Sequence, residues 1–250
     1  MNPWDKTSGD AHLVASRLEQ VRRRIQEAAR RCGRAAEDVT VVAVTKGVAP
    51  QLIRAAYACG QRIFGENRVQ EMVAKQTELA GELADARWHL VGHLQRNKVK
   101  DVVGRIDLFH ALDSLRLAQE LNRRLEAAGL VLGVLLEVNV SGEPTKFGVA
   151  PDQAVETARE LTRHFPALRL EGLMTVGPHV QDEQVVRGAF RQLRQLFEAI
   201  RQEGVGGPHF RHLSMGMSAD FPWAVEEGAT LVRIGTAIFG PRPAGPLLTP

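Results

Sequence analysis

Eight short apolar runs, each followed by an amphipathic stretch, restrict what this chain can fold into more than any other feature of it. The runs lie at 40–45, 62–65, 87–91, 106–111, 133–139, 169–176, 209–214 and 230–234. Helical periodicity fills the gaps near 50–59, 67–80, 94–103, 114–128, 151–164, 182–203 and 219–227. Strands linked one to the next by helices run parallel, because a helical crossover returns the chain to the same end of the sheet. Alternation alone does not separate an open doubly wound sheet from a closed barrel. Strand number favours a single (β/α)8 TIM-type barrel, and 250 residues is an ordinary length for one. Pro50 and Pro151 suit first helical turns, Ser114 and Asp220 suit N-caps, and Gly60, Gly129, Gly204 and Gly228 stand where helices should stop.

An extra helix is expected ahead of the barrel, over residues 10–32, where Val14, Leu18, Val21, Ile25, Ala28 and Cys32 recur at steps of three and four. Residues 1–9 read as polar and frayed. The other face carries Arg22, Arg23, Arg24, Arg30 and Arg31, interspersed with Glu19 and Glu27 and without aromatic residues. That is the composition of a solvated helix face, not of a nucleic-acid stripe. The net charge of +3 adds only a weak hint of an anionic partner. Cys32 and Cys59 have no metal or redox spacing and suit a reducing compartment. Neither a signal peptide nor an apolar run of about 18 residues is present, so the expectation is a cytoplasmic protein with no membrane partner. One barrel domain over 1–240, followed by a Pro/Gly-rich tail at 241–250, is the economical division.

In a (β/α)8 barrel the site lies at the C-terminal ends of the strands. The first run ends in Lys46, which either reaches water there or becomes a desolvated, nucleophilic amine able to form a Schiff base. The eighth ends in Gly235-Thr236 before a short helical turn, a plain turn or a phosphate site of backbone N–H groups, with Ser214 after the seventh run as a further hydroxyl. Arg233 shares a strand face with Gly235, so it points into a polar barrel mouth or belongs to a buried ion pair. Asn67 reads equally as a ligand to a ring substituent and as a helix cap, and Met174 reads first as core. His89 and His93 have the i, i+4 spacing of a zinc helix. They span a strand and its turn, and Leu90 stands where the motif needs glutamate, so no metal is expected.

Seven blocks of this sequence match one family: Ala-Val-Thr-Lys-Gly around Lys46, Phe-Gly-Glu-Asn at 64–67, Trp-His-Leu-Val-Gly-His-Leu-Gln-Arg-Asn-Lys at 88–98, Ser-Gly-Glu-Pro-Thr-Lys-Phe-Gly at 141–148, Gly-Leu-Met-Thr at 172–175, Leu-Ser-Met-Gly-Met-Ser at 213–218 and Val-Arg-Ile-Gly-Thr-Ala-Ile-Phe-Gly at 232–240. Together they closely resemble the YggS/PROSC family, the pyridoxal 5′-phosphate (PLP) homeostasis proteins. The resemblance implies a fold-type III PLP barrel similar to the N-terminal domain of alanine racemase. It implies that Lys46 carries PLP as an aldimine, that Ser214, Gly235 and Thr236 bind its phosphate, that Arg233 faces the pyridine nitrogen, and that Asn67 and Met174 flank the ring. Leu90 and Thr45 depart from the family's usual phenylalanine or methionine and its frequent serine, and His93 occupies a variable position.

An arginine at the pyridine nitrogen disfavours a second positive charge, which leaves PLP a weak electron sink. The alanine racemase plan also needs a tyrosine from an additional β domain, and the one tyrosine here, Tyr57, falls on the helix after the first strand. The expectation is therefore a PLP carrier or regulator without strong turnover, supplying apo-enzymes and acting as a monomer. No residue is assigned a catalytic role. The alternative is a PLP-dependent racemase or lyase of low activity, and a third reading is a cofactor-free basic RNA-binding module. Lys146, in the loop after the fifth strand, reads first as a solvated amine and second as one that hands the aldehyde on.

Overall fold

Strands β1 (Thr40–Val44), β2 (Ile63–Glu66), β3 (Arg87–Leu90), β4 (Leu108–Leu112), β5 (Leu132–Glu137), β6 (Leu168–Met174), β7 (His212–Ser214) and β8 (Leu231–Ile234) pair in sequence order and close into a barrel. Every pairing is parallel, and β1 against β8, in register Ala43 to Ile234, shuts the cylinder. The computed structural model describes residues 3–143, 145–178 and 180–241, with side chains from residue 11 onward. Residues 242–250, nearly all of the expected tail, lie outside the described residues.

Helices α2 (Pro50–Ala58), α3 (Val69–Glu78), α4 (Leu115–Ala128), α5 (Ala154–His164), α6 (Glu183–Gln202) and α7 (Phe221–Glu226) occupy the crossovers. Ser114 caps α4 by accepting the Leu117 N–H, and Gly129 closes it in the left-handed conformation at φ 66°. After β8 the described residues hold a single turn, α8 (Thr236–Phe239). The N-terminal helix α1 (Pro3–Arg31) supplies the missing cover by packing against α2, α7 and α8. Its Val14, Leu18, Val21, Ile25, Ala28 and Ala29 are buried in the common core. That accounts for a helix ahead of the barrel, which covers the side where α8 is a single turn.

Four expectations are corrected or sharpened. The helix expected at 10–32 begins at Pro3, which suits a first helical position, so residues 3–9 are helical and not frayed. The stretch expected as a helix at 94–103 is a 3-10 segment, Arg96–Asp101: its buried residues Leu94, Val99 and Val102 are spaced five and three apart and do not hold one α-helical face. Asp220 takes the N-cap position of α7 but makes no side-chain cap bond there, its carboxylate turning back to accept the Met217 N–H at 2.6 Å. The arginine face of α1 is only partly solvated: Arg22 donates to Cys59 O, Arg24 lies 4.5 Å over the Phe221 ring, and Arg31 pairs with Glu226. No helix among the described residues is long and apolar enough to cross a membrane.

Candidate functional site

The C-terminal ends of β1 and β8 carry the residues with the most chemical potential. The Thr45 N–H still donates to Gly65 O at 2.9 Å, which prolongs the β1 pairing by one residue, and Gly47 then turns the chain at φ 68°. Between them Lys46 is half-buried and borders a cavity of about 370 Å³, with Asn67, Gly92, His93 and Lys98 on its other walls. No hydrogen bond or ion pair holds its ammonium among the described residues. Asn67 lines the same cavity and does not cap α3, whose N-cap is Arg68 without a side-chain bond. Gly92 backs directly onto it: a Cβ there would stand 2.5 Å from Asn67 O.

Strand pairing sets Gly235 against Val44, two residues before this lysine, since a Cβ on Gly235 would meet Val44 O at 3.3 Å. The Gly235 and Ala237 N–H groups converge on one oxygen, Ser218 Oγ, each at 3.2 Å. Two N–H groups are thus drawn to one hydroxyl oxygen at the head of α8, with the exposed Thr236 between them. The loop that delivers Ser218 needs Gly216 at φ 91°, where a Cβ would press on Ala224 Cβ at 2.5 Å. Ser214 does not join this cluster. It is fully buried and its hydroxyl is bonded inside the barrel, whereas Ser218, which ends the motif at 213–218 and was not singled out from the sequence, meets the β8 turn.

Inside the barrel Arg233 donates to Ser214 Oγ at 2.7 Å and to Thr175 O at 2.8 Å. A guanidinium only donates, so Ser214 Oγ accepts from Arg233, and it shares a second hydrogen bond with His110 Nδ1 at 2.9 Å. His110 Nε2 in turn shares a hydrogen bond with His89 Nδ1, again at 2.9 Å. Both rings are neutral: burial pulls His89 down to about 3, helped by His212 and Arg87, and puts His110 well below its usual 6.5. These bonds pin the Arg233 head group and couple the two rings, since the tautomer of one sets that of the other. The signal for His110 was a lone histidine in the apolar run Leu108-Phe-His-Ala-Leu112. His93 belongs elsewhere, bonded to Asp113 at 2.8 Å and stacked on Phe147 at the mouth.

Burial lowers Arg233 to about 10, opposed by Glu137 and Asp220, so it stays charged at neutral pH. Glu137 is pushed up to about 7, first by burial and then by Asp113, with Arg233 opposing. Met174 is core, 1% exposed at the end of β6. Lys146 is not a freely solvated amine: it pairs with Glu143 at 2.7 Å and donates to Gly177 O at 3.1 Å. Tyr57 bonds Asp85 on the segment leading into β3, at the opposite end of the barrel.

Comparison with known proteins aligns residues 16–243 with the alanine racemase N-terminal domain family. The pyridoxal phosphate homeostasis protein of Aquifex aeolicus is 45% identical over 230 residues, 92% of this chain and 98% of that protein. Its Escherichia coli K12 counterpart is 40% identical over 230 residues, 92% of this chain and 97% of that one. PipY of Synechococcus elongatus, solved with PLP bound, has a TM-score of 0.79 at 36% identity and covers 91% of this chain and 100% of its own. Alanine racemase of Clostridium difficile, at 16% identity and a TM-score of 0.69, covers 92% of this chain and 56% of its own and shares the fold.

Proposed function

Because the chain belongs to the pyridoxal phosphate homeostasis proteins, which are built on the alanine racemase N-terminal domain, we propose that it holds PLP covalently at Lys46 and supplies it to apo-enzymes. The observation that carries this reading is the unpaired Lys46 just after β1, whose neighbour β8 ends at the convergent Gly235 and Ala237 N–H groups. When bound, PLP supplies an aldehyde that condenses with amines and a ring that withdraws electrons. The donor set fits such a group. Lys46 offers a primary amine free of competing partners, and the 235–237 backbone with Ser218 offers donors to a phosphate. Ser218 thus takes the phosphate role that the resemblance gave to Ser214, and Thr236 contributes through its place at the head of α8.

Arg233 is the residue that the family pattern sets against the pyridine nitrogen. Held by Ser214 and Thr175 and charged at neutral pH, it disfavours a proton on that nitrogen. The chain's one tyrosine, Tyr57, is engaged at the far end of the barrel and offers no second acid or base. Storage and delivery suit that combination better than turnover. One observation favours the alternative, a racemase or lyase of low activity: Glu137, with a pKa of about 7 beside Arg233, is poised to move a proton.

Delivery tests the choice. The loaded protein, freed of unbound PLP, is expected to reactivate a PLP-requiring apo-enzyme, and Lys46→Ala prepared the same way is not. Racemisation or elimination of an amino acid at about 1 s⁻¹ or faster, lost in Lys46→Ala, would overturn the carrier reading.

A further inference from the structure

Lys75 on α3 is 6% exposed, and its Nζ makes three contacts that all bear on the residues next to Lys46. It donates to Thr45 O at 2.5 Å, to Glu66 Oε1 at 2.6 Å and to Glu71 Oε1 at 2.7 Å. Glu66 Oε1 also accepts the Thr45 hydroxyl at 2.6 Å, and Glu71 Oε1 accepts the Gly47 N–H at 2.6 Å. The carbonyl before Lys46 and the N–H after it are thus tied to one buried ammonium. Glu66 is fully buried and its Oε2 has no partner among the described residues, so its charge depends on Lys75 and Thr45. Burial raises Glu66 against those bonds, whereas Glu71, also pushed up by burial, is held below its usual range by Lys75 and the Gly47 N–H.

A buried ion pair is weak evidence for stability, since apolar replacements of similar volume often serve as well. This one does something an apolar trio could not. Two carboxylates stand at the turn that carries Lys46, and a lysine side chain is long enough to fold back onto the one bonded to its own neighbour. We propose that Lys75 is a positioning residue for Lys46: by holding Glu66 and Glu71 it fixes the backbone on both sides and keeps the carboxylates from capturing the Lys46 amine. The inference rests on the reading of Lys46 as a reactive amine.

Competitive acetylation of the ligand-free protein at pH 8, read by peptide mass spectrometry against the exposed Lys100, tests it without PLP. In Lys75→Met the labelling of Lys46 is expected to fall about fivefold or more, the scale of one partly exposed ion pair. Adding Glu71→Gln is expected to restore most of it. If Lys75→Met does not fold, Lys75→Met/Glu66→Gln removes the stranded carboxylate and is read in the same way. Unchanged Lys46 labelling in the folded variant overturns the proposal, as does a loss that Glu71→Gln does not restore. A wild type whose Lys46 labels readily but takes up no PLP overturns the proposed function instead.

Discussion

Replacing Gly172 by alanine is expected to cost about 3 kcal/mol or more of unfolding free energy, a large effect for one methyl group. At Gly172, φ is 153°, and a Cβ there would lie 1.9 Å from His212 O. The obstacle is backbone of β7, the paired neighbour of β6, so no side-chain rotation relieves it. The glycine also completes a bulge: β6 pairs Leu170 with Val134 and then Gly172 with Leu135, leaving Glu171 as the extra residue. Widening that contact would move Ser214, the next-but-one residue of β7, and with it the Arg233 hydrogen bond. Gly188, inside α6 with open space for 4 Å around the point a Cβ would occupy, is the control: its alanine variant should gain roughly 0.5–1 kcal/mol. Urea unfolding of both variants checks the pair, and an unshifted midpoint in Gly172→Ala would contradict the strand geometry.

Glu137→Gln is expected to stabilise the PLP-free protein at pH 8 by about 1–3 kcal/mol and to change little near pH 4.5. Burial, with Asp113 adding to it, raises this carboxyl from the usual 4.5 to about 7. The folded state therefore holds the proton more tightly than the unfolded chain does. That contribution is fully present below pH 4.5 and is lost as the pH rises through about 7. An amide keeps the shape and removes the titration. Denaturant midpoints of the two proteins, measured at several pH values, should converge in acid and separate above neutrality. Parallel curves throughout would mean that Glu137 ionises as freely as a surface carboxyl.

Periodicity located the barrel strands to within three residues, because a strand buried on both faces is a continuous apolar run bounded by turn residues. Lys46, Arg233, Gly235 and Thr236 could be singled out as candidates for a related reason: each stands in or just after the last residues of such a run. What the sequence concealed is partner choice. Ser214 and Ser218 sit four residues apart in one motif, and only the course of the loop through Gly216 decides which hydroxyl meets the β8 turn. Lys75 has the i, i+4 spacing to Glu71 of an ordinary surface pair, and its burial against Thr45 appears only once α3 packs on β2. His110 needed β4, β7 and β8 in register before its link to Arg233 could be seen. Asp220 illustrates the same limit from the other side, a good N-cap residue claimed by the N–H of Met217.

The claim that Lys46 is the residue holding PLP is tested most directly by loading the wild-type protein with PLP, reducing it with borohydride and mapping the modified peptide by mass spectrometry. One phosphopyridoxyl group per chain, on Lys46 and absent from Lys46→Ala, is the expected result. An adduct on Lys98 or Lys146 in its place, or a protein that binds PLP and yields no reducible adduct, would contradict it.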